Sequence, residues 1–175
     1  MSKPKLEIEK TFSEASGTPY PERLEQALQI FQADAENKQN WEKYINPNSV
    51  FLPDHPLIKD KNTESVFEVT PNKHMANYYG ALHGGCVATL VDIFTSLSIM
   101  ACEDPPGLAV SVVMNIEYIK AIPITDKVII HSKVDKFGRS LAFSTCKIYD
   151  SKLDLCYTAS HTKMRMALNK MKDKL

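Results

Sequence analysis

Between Gly84-Gly85 and the breaker Glu103-Asp104-Pro105-Pro106-Gly107 lies an apolar run with helical spacing, and nearly everything after it reads as strand. The strands expected are Leu108–Lys120, Lys127–Phe137, Arg139–Tyr149 and Leu153–Met166. In the second, Val128, Ile130, Ser132 and Val134 share one face. Phe137-Gly138-Arg139 and Asp150-Ser151-Lys152 are tight turns between neighbours. Four consecutive hairpin-linked strands make an antiparallel sheet, and one helix is enough to cover its apolar face. The class is therefore α+β.

Upstream signals are weaker. Residues 1–21 form a polar arm that ends at Gly17-Thr18-Pro19-Tyr20-Pro21. Pro21 and Glu22 suit a first helical turn, with Leu24, Leu28, Phe31 and Ala35 at helical spacing. Trp41, Tyr44 and Ile45 suggest a second helical piece, stopped by Asn46-Pro47-Asn48. Ser49–Thr70 reads as two extended pieces around a polar turn at Lys59–Thr63, and Pro71–Gly80 as loop. The main domain thus covers residues 22–166, and a basic tail follows at 167–175. No internal repeat breaks it up.

With 43 % hydrophobic and 24 % charged residues, the chain can bury a core without metal or disulfide staples. Its 21 basic and 21 acidic residues cancel, so no basic field is present to drive nucleic-acid binding. Cys86, Cys102, Cys146 and Cys156 lack CxxC spacing, so no metal site is expected and free thiols in a reducing compartment are. Asp92, Thr95, Ser96 and Ser98 interrupt the apolar helix, which argues against a membrane span. The N-terminus resembles neither a signal nor a transit peptide. The cytosol is the expected compartment and the mitochondrion the alternative. A peroxisomal address is disfavoured, because Asp173 replaces the serine of a Ser-Lys-Leu tail.

On a helical wheel, Gly85, Ala88, Thr89, Thr95, Ser96 and Ile99 fall on the side of Asp92, and Val87, Leu90, Phe94, Leu97 and Ala101 fall opposite. One face suits the sheet; the other is small, hydroxylated and centred on an acid. A carboxylate there is either desolvated, with a raised pKa, or a simple cap facing water. At the helix start, His83-Gly84-Gly85 leaves backbone N–H groups open to a carbonyl oxygen, the geometry of an oxyanion hole.

These residues carry a resemblance. Asn77-Tyr78-Tyr79-Gly80-Ala81-Leu82-His83-Gly84-Gly85, then Ala88-Thr89-Leu90-Val91-Asp92, is similar to the signature of hotdog-fold acyl-CoA thioesterases. The nearest group is the phenylacetyl-CoA-type and acyl-CoA thioesterase 13-like branch. Val110 to Asn115, Gly138 to Phe143 and His161-Thr162-Lys163 resemble it too. The resemblance implies a hotdog fold: a curved antiparallel sheet wrapped around one long central helix, here with an N-terminal helical extension. It implies an acyl-CoA substrate, no cofactor, and sites at the interface of a homodimer that can stack into a homotetramer.

The resemblance makes Asp92 the general base or nucleophile and Gly84 N–H the group that polarises the thioester carbonyl. Asn77 would hold substrate or water, and Ser111 would assist the acid. His83 is either a general acid or, the favoured reading, a residue that orients the loop. Tyr118, Lys120 and Ala121 match the lining of the CoA tunnel, although Pro123 falls later than the pattern has it. Lys136, Phe137, Gly138, Arg139 and Ser140 form a hairpin tip suited to phosphates, with a solvated turn as the alternative. His161 is expected at a surface strand position. Cys86 is expected as a small buried thiol, and Met114, Met164 and Met166 as strand packing. Gly84 and Asp92 of one chain lie ~12 Å apart by helical rise, so the two can meet one thioester only if different chains supply them.

Two other functions compete with hydrolysis. One is a non-catalytic module of the same fold that binds acyl-CoA or an acyl carrier. The other is a hotdog hydratase or dehydratase, which usually pairs His with a carboxylate at other spacings.

Overall fold

The computed structural model describes residues 17–37, 49–104 and 106–166. The arm before residue 17, the tail after residue 166 and the helical piece expected around Trp41, Tyr44 and Ile45 lie outside the described residues. Helix α1 covers Tyr20–Asn37 and helix α2 covers Gly84–Ala101. The strands are β1 (Ser49–Phe51), β2 (Glu64–Val69), β3 (Leu108–Tyr118), β4 (Val128–Phe137), β5 (Leu141–Tyr149) and β6 (Leu155–Met166). Within the segment expected to be loop, Lys73–Met75 forms one 3₁₀ turn that buries Met75.

All six strands join one antiparallel sheet in the order β1-β2-β4-β5-β6-β3. α2 lies against one face of it. By length and composition α2 could cross a bilayer, but ten of its residues are buried within the domain. Val87, Leu90, Phe94 and Leu97 pack into a core shared with Phe67, Val69, Val128, Ile130 and Ile148. The Phe67 and Phe94 rings meet at 4.5 Å between centroids. Alternation is clean in β5, where Ala142, Ser144, Cys146 and Ile148 point inward. Val128, Ile130, Ser132 and Val134 of β4 are likewise all buried.

Two bulges adjust which side chains face the helix. β4 carries one between Val134 and Lys136, which brings Phe137 inward opposite Ala142. β3 carries one between Ser111 and Val113. β3 ends the sheet, so its outer edge is unpaired among the described residues.

The wheel needs two corrections. Thr95 and Ile99, expected on the open side with Asp92, are buried. Ile99 packs with Val134 and Ala142 in a second apolar cluster, and the Thr95 hydroxyl meets His161. The curved sheet therefore covers more of the helix than one flat face would. His161 is corrected with Thr95: it is buried, not a surface strand residue. α1 closes the other end of the core with Tyr20, Leu24 and Leu28. Its Arg23 Nε donates to Ala101 O at 2.8 Å, supplying a partner to a carbonyl left open where α2 ends.

Candidate active site

The loop before α2 is folded around Asn77. Its Oδ1 accepts from Tyr79 N–H at 2.9 Å and Ala81 N–H at 3.1 Å. Its backbone N–H donates to Ala81 O at 2.7 Å. Gly80 closes the turn at φ +74°, a conformation that side chains disfavour. The Asn77 oxygen is thus committed to the loop, while its amide N–H₂ has no acceptor among the described residues. Tyr78 and Tyr79 stand almost fully exposed at the loop tip, edge to face.

His83 is the N-cap of α2. Its backbone is extended and its Nδ1 accepts from Gly85 N–H at 2.9 Å. That bond requires a lone pair on Nδ1, so the ring acts here as an acceptor. Gly85 N–H is thereby used. Gly84 N–H takes no acceptor among the described residues and stays open at the positive end of the helix. Tyr118 flanks it: the phenol donates to Gly84 O at 3.1 Å, and a Cβ at residue 84 would touch the ring at 3.4 Å.

Two turns along, Asp92 is half-exposed, its side chain 49 % accessible. Lys163 Nζ donates to its Oδ1 at 2.9 Å, and Ser111 Oγ at 3.2 Å. Ser96 Oγ lies 3.3 Å from the same oxygen and also donates to the Asp92 main-chain O. No donor reaches Oδ2 among the described residues. Burial pushes the Asp92 carboxyl up, but the hydrogen bond and charge of Lys163 outweigh it, with His161 and Ser111 adding to them. The net shift is downward, so the carboxyl is not raised as desolvation alone would have it.

Behind this cluster lies His161. Its Nδ1 is 2.7 Å from Thr95 Oγ1, and the Thr95 hydroxyl donates to Val91 O at 2.6 Å. The hydroxyl hydrogen is spent on that carbonyl, so Nδ1 carries the hydrogen of the imidazole pair. Nε2 is left as a buried acceptor without a partner among the described residues, 3.8 Å from Asp92 Oδ1. Burial first, then the Lys163 charge, drive the imidazole pKa down to about 4; Asp92 offsets part of this.

The arrangement offers an ionised carboxylate with one free oxygen and an open N–H at a helix start. It is suited to activating water and stabilising a developing oxyanion. Comparison with known proteins gives the family. A thioesterase superfamily profile matches residues 79–157. The crystal structure of zebra fish thioesterase superfamily member 2 is 33 % identical, with a TM-score of 0.67 over 81 % of this chain and 96 % of that one. The chain belongs to the thioesterase superfamily. It is also 33 % identical over 89 residues to mouse acyl-coenzyme A thioesterase 13, covering 51 % of this chain and 63 % of that protein. Mouse acyl-coenzyme A thioesterase THEM4 is 30 % identical over 99 residues, 57 % of this chain and 40 % of that protein. Both matches span less than two thirds of the relative's length.

The remaining expected residues of this superfamily member fall in two places. Ala121 is exposed on the segment leading to Pro123, which bridges back to Ala81 beside the Asn77 loop. Lys120 stands next to it, but its ammonium is committed to Asp150 at 2.7 Å and Asp154 at 2.8 Å, which raise its pKa. Lys136 to Ser140 form the β4–β5 hairpin tip. Arg165 braces that tip, donating to Gly138 O at 2.7 Å and Arg139 O at 3.3 Å and lying 4.0 Å over the Phe137 ring. A Cβ at Gly138 would come within 2.8 Å of Leu141 O, so the turn excludes a side chain there. Lys136, Arg139 and Ser140 are exposed. Cys86 is half-buried, as are Met114 and Met166, while Met164 is exposed.

The helical wheel placed Ser96 and Thr95 beside the acid, but sequence reasoning missed Lys163 as its partner. A usable signal existed: Tyr157, Ala159, His161, Lys163 and Arg165 alternate along β6. With Tyr157 and His161 inward, Lys163 must be inward too.

Proposed function

We propose that the protein is an acyl-CoA thioesterase that hydrolyses its substrate to a carboxylic acid and CoA at sites shared by two copies of the chain. The observation that carries this is the asymmetry of Asp92: among the described residues its side-chain donors lie on Oδ1, and Oδ2 is free on a half-exposed side chain. In this reading Oδ2 takes a proton from water as the water oxygen bonds to the thioester carbon. Gly84 N–H and the Asn77 amide receive the negative charge on the carbonyl oxygen. Collapse breaks the C–S bond, and the proton on Asp92 passes to the leaving CoA sulfur. An oxyanion donor of this kind is worth ~10²–10³ in rate, and a positioned base ~10²–10⁴.

The need for two copies follows from the helix. Gly84 and Asp92 are eight residues apart on α2, ~12 Å along its axis, too far for one carbonyl and its water. A partner's helix start would come to Asp92. The unpaired edge of β3, eleven residues long with Val110, Val112 and Val113 exposed, suits pairing with a second copy. The braced tip with Lys136 and Arg139 suits the phosphates of CoA.

The test is thiol release from acyl-CoAs of graded chain length, measured for the wild type and Asp92→Ala. The wild type should release CoA. Asp92→Ala should keep its circular dichroism and acyl-CoA binding while losing at least ~10² in turnover. Binding without thiol release by the wild type would point to the non-catalytic module instead. Full turnover by Asp92→Ala would remove the acid from the chemistry.

A further inference from the structure

We infer that Lys163 is a positioning residue of this site: from β6 it clamps one oxygen of the Asp92 carboxylate and leaves the other oxygen free to accept a proton. The inference rests on the hydrolytic reading above, and assigns a role to a residue outside that mechanism.

The geometry is that of a closed set. The Lys163 side chain is 4 % exposed, and a buried ammonium is costly unless its three N–H groups are satisfied. Three acceptors stand within reach: Asp92 Oδ1 at 2.9 Å, Ser111 Oγ at 3.2 Å and Ser96 Oγ. The serines pass their own hydrogens on, Ser111 to Asp92 Oδ1 and Ser96 to the Asp92 main-chain O. The ammonium is thus saturated, and the carboxylate is held from β6 and β3 through a single oxygen. A bare ion pair would leave the carboxylate free to rotate about its last bond; this one fixes which oxygen faces out.

The register explains how the cation reaches the site. Ser111 and Lys163 are direct cross-strand partners, and the β3 bulge begins immediately after them. The groups facing the carboxylate are Lys163 and His161 from β6, Ser111 from β3 and Ser96 from α2. Of these only Lys163 brings a positive charge at neutral pH, because His161 is neutral there. Removing the charge should therefore make Asp92 harder to ionise. The acidic limb of the rate profile, where activity is lost as Asp92 gains a proton, should move to higher pH.

The experiment compares Lys163→Met, which keeps bulk without charge, with Lys163→Arg, which keeps charge. Profiles of kcat and KM against pH are measured for both, with Asp92→Ala alongside. Lys163→Met should lose ~10-fold or more in kcat on the plateau above its acidic limb, with KM little changed. Its acidic limb should rise by about one pH unit, and Lys163→Arg should restore the limb. A purely structural ion pair would also shift the limb but leave kcat on the plateau above it unchanged, and that result overturns the inference. A folded Lys163→Met with unchanged kcat and limb overturns the inference. If Asp92→Ala is inactive at the same time, the hydrolytic reading survives; if Asp92→Ala is fully active, that reading fails first. A carbon NMR titration of the Asp92 carboxyl needs no activity and no variant. It should place the wild-type group below the ordinary carboxylate range; a value at or above that range overturns the inference even if every Lys163 variant misfolds.

Discussion

His161 makes the stability of this fold fall with mild acid by an amount that can be estimated. Its side chain has no solvent exposure, and its unpartnered Nε2 holds a lone pair rather than a proton. Its pKa in the folded chain is pushed down to about 4, chiefly by burial and then by Lys163. In the unfolded chain it returns to ~6.5. Between those values the unfolded state binds a proton that the folded state does not. Stability therefore drops as pH falls through ~6.5 and levels off only below the folded value. The full span is worth about 3 kcal/mol, of which ~2 is spent between pH 7 and pH 5. His131, lowered by burial against the pull of Glu64, adds a contribution of the same sign. The carboxylates held down in the fold, Asp60, Asp92, Asp126 and Asp150, act lower, as pH falls through their unfolded values near ~3.9. The assay is urea unfolding followed by far-ultraviolet circular dichroism at fixed protomer concentration, at pH 7, 6 and 5, for the wild type, His161→Gln and His131→Gln. His161→Gln should begin less stable, having lost the Thr95 contact, yet lose ~2 kcal/mol less than the wild type over this range. Equal losses in wild type and His161→Gln would refute the reasoning, since His161 would then titrate alike in both states.

Two further outcomes bear on the ligand face and the core. Arg139→Ala should raise KM for acyl-CoA several-fold with little change in kcat, because the exposed guanidinium has no hydrogen-bond partner among the described residues to lose; steady-state kinetics check this, and a fall in kcat alone would argue against phosphate contact. Phe94→Ala should cost ~3–5 kcal/mol in urea unfolding, since the ring is fully buried against Phe67 at 4.5 Å.

The helix and the four strands after it were legible because their signals are local and redundant. Period 3.6 across Val87, Leu90, Phe94 and Leu97, and period 2 along Ala142, Ser144, Cys146 and Ile148, each repeat over several turns or pairs. The expected and observed strand bounds differ by no more than two residues at either end. Asp92 and Gly84 were legible as neighbours of small residues on one helix. What escaped was long-range. Nothing near His161 in the chain says that Thr95, 66 residues away, will take its Nδ1. A helical wheel assumes a flat partner, so it exposed Thr95 and Ile99, which a curved sheet covers. Lys163 escaped for another reason: a lysine in a strand ordinarily faces water, and only its parity with Tyr157 and His161 turns it inward.

The β3 bulge shows why the site and the core could not have been arranged separately. Ala109 packs inward against the Ile99 cluster, and two residues later Ser111 reaches Asp92. Beyond the bulge, Met114 and Ile116 pack on the main core. Strict alternation from Ala109 would turn Val113 and Asn115 inward and put Met114 and Ile116 in water. One extra residue, Val112, lets both sets face α2, so the apolar core fixes the serine and the serine shares Oδ1 with Lys163. The direction of Asp92 Oδ2, away from all of these donors, is thus determined by packing on both sides of the bulge. The edge that carries the bulge is also the unpaired edge of the sheet. Under the proposed function, a second chain pairing there would meet a carboxylate whose orientation the core has already set, and would need to bring only the N–H.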